Sequence, residues 1–341
     1  DLPGDAPTRV TVGSGLSQRQ AMVSSGTHGY VGSTSGVRSL DFSNMASITV
    51  GSTAAGVESA VQFVLQGDRV LTMSSSIDDL LTVLEPPSPA GPTQVGALST
   101  ELGAIHSLGD ITFGANATLI RVFDTSVRET PVLIRGTGAS APVRDLDSNL
   151  RYLFGRASDR VLVFDISNPA SPREIANPIL ASGTEEFTSF DVQGDRVYVT
   201  YFDDNGTTGN ALDDSSGLIV HRIPDDIQSG SWARSVYATA DYLGSDDGID
   251  PADSVGKAFY LVEVFGDLAV ISSSQNANTA QYQGRAELLN VADLTNVYKL
   301  SDLIPDGDIG ATAPDFPREI LVYRNRYVFF MGRQELTYIE L

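Results

Sequence analysis

Two segments of the sequence, residues 202–217 and 241–256, concentrate aspartate. Ca²⁺ takes about six to eight oxygen ligands, which carboxylates and backbone carbonyls supply. The candidate ligands are Asp203, Asp204, Asp213, Asp214, Asp246, Asp247 and Asp250. Their spacing matches no EF-hand loop, and ordinary solvated acidic loops have the same composition. Ca²⁺ binding is therefore a hypothesis for these segments, beside the alternative of a solvated acidic surface.

Residues 275–284 form a third segment of this kind. Three further side chains in the three segments are suited to contacts with a partner. They are Asn205, Tyr242 and Tyr282. Long loops on a rigid scaffold are where binding residues concentrate, and tyrosine offers a large ring with a polar end. We therefore expect the three segments to contact a protein or glycan partner.

Histidine, the commonest general base, is scarce in this chain. No nucleophile motif or metal-ligand spacing surrounds His28, His106 or His221. Cysteine is absent, which excludes disulfides, thiolate metal sites and a cysteine nucleophile. The sequence therefore predicts no catalytic residue. The pointers to an enzyme are His106, Arg144 and Arg318, which are expected on the innermost strands of the fold.

A repeat organises the elements that must position these residues. The string QGDRV occurs at 66–70 and again at 193–197, and a Gly-Asp pair between two β-rich runs indicates a tight hairpin. The strands that follow such hairpins begin near residues 29, 69, 110, 150, 196, 267 and 325. The first intervals are about 40 residues, the period of a four-stranded propeller blade. The sequence predicts an all-β, seven-bladed β-propeller of antiparallel blades.

The seventh unit is one strand short, and the beginning of the chain offers the missing strand. Residues 8–15 follow a proline in the same way as the outer strand of the fourth unit does. We expect this segment to pair with the last blade, residues 316–341, and to close the ring, because closure removes unpaired strand edges. Residues 1–341 are then a single domain.

The fourth unit resembles a known family. RVLVFDISNPASPREI, within 160–175, is similar to the LVIVD repeat of microbial, often secreted, β-propellers, and 119–134 matches it in part. The resemblance implies a propeller outside the cell or at its surface. It implies no common catalytic residues.

Composition narrows the classes of partner and the location. The formal net charge is −21, and Lys257 and Lys299 are the only lysines among 22 basic residues, so nucleic acid is excluded as a partner. No run of about 18 apolar residues occurs, so the sequence predicts no membrane span. The lack of Cys and of an initiator Met fits a signal-cleaved, secreted chain, or else a trimmed one.

These observations lead to one functional prediction and two alternatives. The prediction is an extracellular or cell-surface propeller that acts as a binding or scaffolding module through the acidic insertions. The first alternative is self-assembly, as a subunit of a surface layer or appendage. The second is a propeller enzyme, such as a polysaccharide lyase or hydrolase.

Overall fold

The structure is a computed structural model. It describes residues 8–11, 21–33, 36–53, 60, 62–74, 80–87, 91–203, 215–239, 258–274, 285–304, 319–331 and 335–341. These residues form 28 strands in seven four-stranded antiparallel sheets. The predicted seven-bladed β-propeller is confirmed.

The first four blades follow one another along the chain. Blade one contains β2 (Ala21–Ser25), β3 (His28–Ser33), β4 (Gly36–Asp41) and β5 (Thr49–Thr53), with a 3-10 helix at Met45–Ser47. Blade two contains β6 (Gln62–Gln66), β7 (Arg69–Met73), β8 (Leu80–Leu84) and β9 (Gln94–Ser99). Blade three contains β10 (Ala104–Leu108), β11 (Ile111–Asn116), β12 (Leu119–Asp124) and β13 (Val132–Gly138). Blade four contains β14 (Asp145–Ser148), β15 (Tyr152–Arg156), β16 (Arg160–Asp165) and β17 (Arg173–Leu180).

The last three blades complete the ring. Blade five contains β18 (Glu185–Gln193), β19 (Arg196–Asp203), β20 (Ser215–Arg222) and β21 (Ala233–Thr239). Blade six contains β22 (Ala258–Phe265), β23 (Leu268–Ser274), β24 (Arg285–Asn290) and β25 (Tyr298–Ile304). Blade seven contains β26 (Glu319–Tyr323), β27 (Tyr327–Met331), β28 (Glu335–Glu340) and, as its outer strand, β1 (Thr8–Thr11).

The first strand of every blade lies on the inside of the ring. These inner strands contact one another in the order β2, β6, β10, β14, β18, β22, β26 and again β2, so they line a central channel. Buried apolar side chains form seven clusters, each between two neighbouring blades. Each blade is thus held by packing on both of its faces.

The hairpins between inner and second strands follow the predicted turn chemistry. Gly67 and Gly194 of the two QGDRV strings have φ of +58° and +61°, in the left-handed region that glycine adopts at little cost. In blade seven Arg324 and Asn325 take this conformation instead, with φ of +54° and +50°. The face of the ring on which these turns lie is called the hairpin face below.

The Arg of the QGDRV string has a role that the hairpin does not explain. Arg69 donates from its guanidinium to the carbonyl of Thr125, in the next blade, directly after the third strand. Arg196 donates to the equivalent carbonyl of Val291 at 2.5 Å. The string therefore combines a tight turn with a clamp on the neighbouring blade.

The ring closes through β1, as the sequence predicts. β1 pairs antiparallel with β28, with Thr8 opposite Tyr338 and Thr11 opposite Glu335. The observed strand is shorter than the predicted 8–15, and residues 12–20 lie outside the described part of the chain. The first described strand of the chain thus completes its last blade.

Deletion of residues 1–15 should lower the melting temperature by about 5 °C or more. It removes a ladder of about four hydrogen bonds, each worth about 1 kcal/mol, and leaves the edge of β28 unpaired. Deletion of residues 1–5 is the control, because it leaves β1 intact. Differential scanning calorimetry measures both, and equal melting temperatures for the two deletions would show that β1 does not close the ring.

Candidate functional site

The three long connections leave the same face of the propeller. One joins β19 to β20, one joins β21 to β22, and one joins β23 to β24. In an antiparallel up-and-down blade, the connection from the second to the third strand and that to the next blade lie on one face, opposite the hairpin face. The strands that flank the three segments therefore end on one side of blades five and six, called the insertion face below.

Asp203 is the one predicted ligand that falls within the described residues. It ends β19 opposite Ser215, and its carboxylate accepts a hydrogen bond from the Thr184 hydroxyl in front of β18. It thus ties together two strands at the insertion face. The other predicted residues lie outside the described part of the chain: Asp204, Asn205, Asp213, Asp214, Tyr242, Asp246, Asp247, Asp250 and Tyr282.

Within the described ranges, no three His, Asp or Glu side chains are grouped so that they could hold a metal ion. Within the same ranges, no helix is long and apolar enough to cross a membrane. Ca²⁺ at the insertion face stays a prediction.

A second candidate site, which the sequence analysis did not predict, lies along the channel. In each inner strand, one residue pairs with a second-strand residue that is almost fully buried, for example Asp147 with Phe154. At this register position four consecutive blades, three to six, carry His106, Asp147, Asp191 and Glu263. The other three blades carry Leu321, Val23 and Val64. The four polar side chains are called the polar arc below.

Carboxylates of the polar arc join one blade to the next. Asp147 accepts hydrogen bonds from the backbone N–H of Val192 in blade five at 2.7 Å and of its neighbour Ser148 at 2.7 Å. Asp191 accepts one from the N–H of Val264 in blade six at 2.6 Å. The bonds from Val192 and Val264 each cross one interface between inner strands. The arc therefore satisfies backbone donors that the propeller ring leaves at its channel edge.

Asp147 and Asp191 also interact directly with each other. Burial, and then the charge of Asp191 and a hydrogen bond to it, raise the pKa of Asp147 well above its ordinary value. Burial raises the pKa of Asp191 as well. Two carboxyl groups this close share one proton, because both charges together would repel each other in a poorly solvated site.

His106 lies at the beginning of the polar arc and contacts both residues at the end of β14. Its Nε2 lies 2.8 Å from Ser148 Oγ, and its Nδ1 lies 3.5 Å from Asp147 Oδ1. Burial lowers the pKa of His106 to about 4, so the ring is neutral near pH 7. Ser148, His106 and the carboxyl pair thus form one continuous polar group near the hairpin-face end of the channel.

The remaining residues that the sequence singles out are placed away from this group. His28 Nδ1 lies 3.1 Å from the Thr27 hydroxyl at the first hairpin. His221 is buried in β20 with its ring edge against Trp232, and burial lowers its pKa to about 4. Arg144 directly precedes β14 and is exposed, whereas Arg318 lies outside the described residues. Of the pointers to an enzyme that the structure describes, His106 belongs to the polar arc and Arg144 does not.

Comparisons with known proteins identify the fold. No model of a protein family matches the chain, and no curated protein matches it. The solved structures that resemble it are propellers. A chain of the mitotic checkpoint complex is 11% identical with a TM-score of 0.63, covering 100% of this chain and 96% of that one.

Two other structures are similar to the same degree. A protein from Lactobacillus plantarum is 11% identical with a TM-score of 0.62, covering 87% of this chain and 84% of that one. The computationally designed Ika8 protein is 12% identical with a TM-score of 0.58, covering 97% and 98%. At these identities the likeness shows the fold alone: this chain is a β-propeller, a fold that commonly serves as a protein-binding or scaffold module.

The carboxyl pair should make the stability of the protein depend on pH. A carboxyl whose pKa is higher in the folded than in the unfolded state stabilises the fold at low pH, and the contribution is lost as the pH rises through the folded pKa. Asp147→Asn keeps a neutral donor at this position and removes that loss. As the pH rises above the ordinary carboxyl pKa of about 4, the variant should therefore gain stability relative to the wild type, by up to about 1.4 kcal/mol per pH unit. Urea unfolding at several pH values measures the difference.

Asp226→Asn is the matched control for this experiment. Hydrogen bonds from Ser229 and from the N–H of Gln228 lower the pKa of the exposed Asp226 carboxyl, so its contribution has the opposite sign. That variant should lose stability relative to the wild type as the pH rises through the acidic range. A pH-independent difference for Asp147→Asn would show that the pair holds no shared proton.

Proposed function

We propose that this chain is an extracellular or cell-surface binding module that presents the insertion face of blades five and six to a protein or glycan partner. The observation that carries the proposal is that the strand ends flanking the three long segments lie on one side of two adjacent blades. Loops that are held by a rigid scaffold form binding surfaces at low entropic cost.

The rest of the structure supports a role as a platform. Each blade packs on two neighbours through an apolar cluster, so the strands that carry the segments are rigidly held. A propeller with a similar fold is part of the mitotic checkpoint complex, which shows the fold in a protein assembly. The charge of −21 favours partners that are neutral, cationic or bridged by metal ions.

Ca²⁺ is the ion that we propose for the insertion segments. Titration calorimetry of the full chain with CaCl₂ should show binding. Replacing Asp213, Asp214, Asp246 and Asp247 by asparagine should abolish it, because the ion needs charged oxygen ligands. The matched control is Asp225→Asn with Asp226→Asn, an adjacent pair of blade five on the hairpin face. Equal heats from both variants and the wild type would contradict the Ca²⁺ proposal.

Partner binding is tested on the surface of the source cells. The chain has no cysteine, so a single introduced Gln228→Cys on the hairpin face carries a fluorophore without touching the insertion face. The labelled protein should bind intact cells saturably. The fourfold asparagine variant should bind at least about tenfold more weakly, a loss of about 1.4 kcal/mol. Binding that is absent, or unaffected by the variant, would overturn the proposed function.

Self-assembly is a second candidate, and one observation favours it. β13 is the outer strand of blade three, and its Val132, Leu133 and Ile134 are 56%, 49% and 44% exposed. An apolar edge strand with open backbone groups is a template for pairing with another copy.

A subunit that assembles through β13 should show concentration-dependent growth in sedimentation velocity, and Leu133→Lys should keep it monomeric. Lysine on an edge strand opposes edge-to-edge pairing. Val236→Lys, on the outer strand β21 of blade five, is the matched control and should leave the growth unchanged. A wild-type chain that is monomeric at high concentration would exclude this candidate.

A further inference from the structure

The hairpin-face mouth of the channel carries an arrangement that the binding role does not use. Ser148 is hydrogen-bonded to His106, the His106 ring lies 3.5 Å from Asp147, and Asp147 interacts with Asp191, so the group reaches across blades three, four and five. We propose that Ser148 is the nucleophile of an acyl-transfer site, with His106 as its general base. This site lies on the face opposite the insertions and is independent of them.

The distances fit a nucleophile with its base. The Ser148 hydroxyl is 2.8 Å from His106 Nε2, the reach that proton transfer needs. The other ring nitrogen, Nδ1, faces Asp147 Oδ1 at 3.5 Å, which orients the ring. The side chains of His106 and Asp147 are 20% and 23% exposed, so the group is sheltered but open to the channel.

The carboxyl pair supplies the group that lies behind the base in such a site. When Ser148 attacks, its proton passes to His106 and an imidazolium forms. A negative charge behind the ring stabilises that imidazolium. Asp147 Oδ1 faces His106 Nδ1 at 3.5 Å, and two backbone N–H groups hold the Asp147 carboxyl group in place. Asp147 and Asp191 are therefore positioning residues, and Ser148 and His106 are the catalytic ones.

The neighbouring blade shows what an ordinary serine does at this position. Ser107 of blade three occupies the same register position as Ser148, because each serine directly follows the polar-arc residue of its inner strand. Its hydroxyl lies 3.0 Å from the Thr112 hydroxyl of the second strand in its own blade. The Ser148–His106 contact is thus specific to the interface between blades three and four.

The reaction balances without a cofactor. Ser148 Oγ forms a bond to the carbonyl carbon of an ester, and His106 takes the hydroxyl proton. The bond to the alcohol oxygen breaks, and His106 returns the proton to the leaving alcohol. Water then attacks the acyl-serine in the same way, which releases the acid and restores Ser148.

The surroundings favour a neutral or cationic ester with an apolar acyl group. Leu150, two residues after Ser148 at the tip of the hairpin, is 88% exposed and offers apolar contact at the channel mouth. The chain carries a formal charge of −21, which disfavours anionic esters.

The test uses a fluorophosphonate probe on the full chain. Serine attack on phosphorus expels fluoride, and peptide mass spectrometry should find the phosphonyl group on Ser148. Ser148→Ala should abolish the labelling, and His106→Gln should slow it by about 100-fold or more, because the general base is lost. Ser107→Ala should label at the wild-type rate. No labelling of the wild type, or labelling that Ser148→Ala does not remove, would overturn the proposal.

Two further measurements separate chemistry from folding. Circular dichroism and the melting temperature show that each variant is folded. The labelling rate of the wild type should fall only as the pH approaches 4, since His106 is neutral above that value. In Asp147→Asn the loss of rate should move to a different pH, which a merely structural role would not cause. The fourfold insertion variant should label normally, so failure of the binding proposal leaves this one intact.

Discussion

The contact between the inner strand of one blade and that of the next is the constraint on which the whole ring depends. Seven inner strands must pack side by side, and the last must meet the first, or every blade at the gap loses one packed face. β1 secures this closure from the outside, because it makes the first described strand part of the last blade. Apolar clusters then fill the interfaces, while the polar backbone at the channel edge needs partners of its own.

The polar arc supplies these hydrogen-bond partners in blades three to six, and its carboxyl groups lower the stability of the fold. Buried carboxyl groups are expensive to charge, and burial accordingly raises the pKa of both Asp147 and Asp191. Leu321, Val23 and Val64 show that the ring closes without polar groups at the same position. The arc is therefore not required by the fold alone. A group that costs stability and has a cheaper alternative nearby is where functional chemistry is expected.

Local turn chemistry explains why so much of the architecture is readable from the sequence. A hairpin such as that of Gly67 or Gly194 is encoded by a few adjacent residues, so the blade count follows from counting turns. Contacts between blades cannot be predicted from adjacent residues in this way. Ser148 and His106, for example, are 42 residues apart and come into contact only in the assembled ring. An alignment of the seven units on their hairpins brings His106, Asp147, Asp191 and Glu263 into one column. This alignment would have predicted the polar arc from the sequence. The Ca²⁺ ligands of the insertion segments and the family resemblance stay predictions.

The two faces of the propeller differ in how far their connections can change in length. This difference assigns partner binding to one face and the proposed acyl-transfer site to the other. On the hairpin face, side chains reach from one blade into the next: Arg69 to Thr125, Arg196 to Val291, and Tyr323 to the carbonyl of Gly26. A longer turn there would pull such a contact apart. The connections of the insertion face lengthen without breaking any of these three clamps, because they leave from the opposite strand ends. A variable surface for recognition therefore belongs on the insertion face. A site that needs atoms held within a few tenths of an ångström belongs at the clamped end of the channel, where Ser148 and His106 lie.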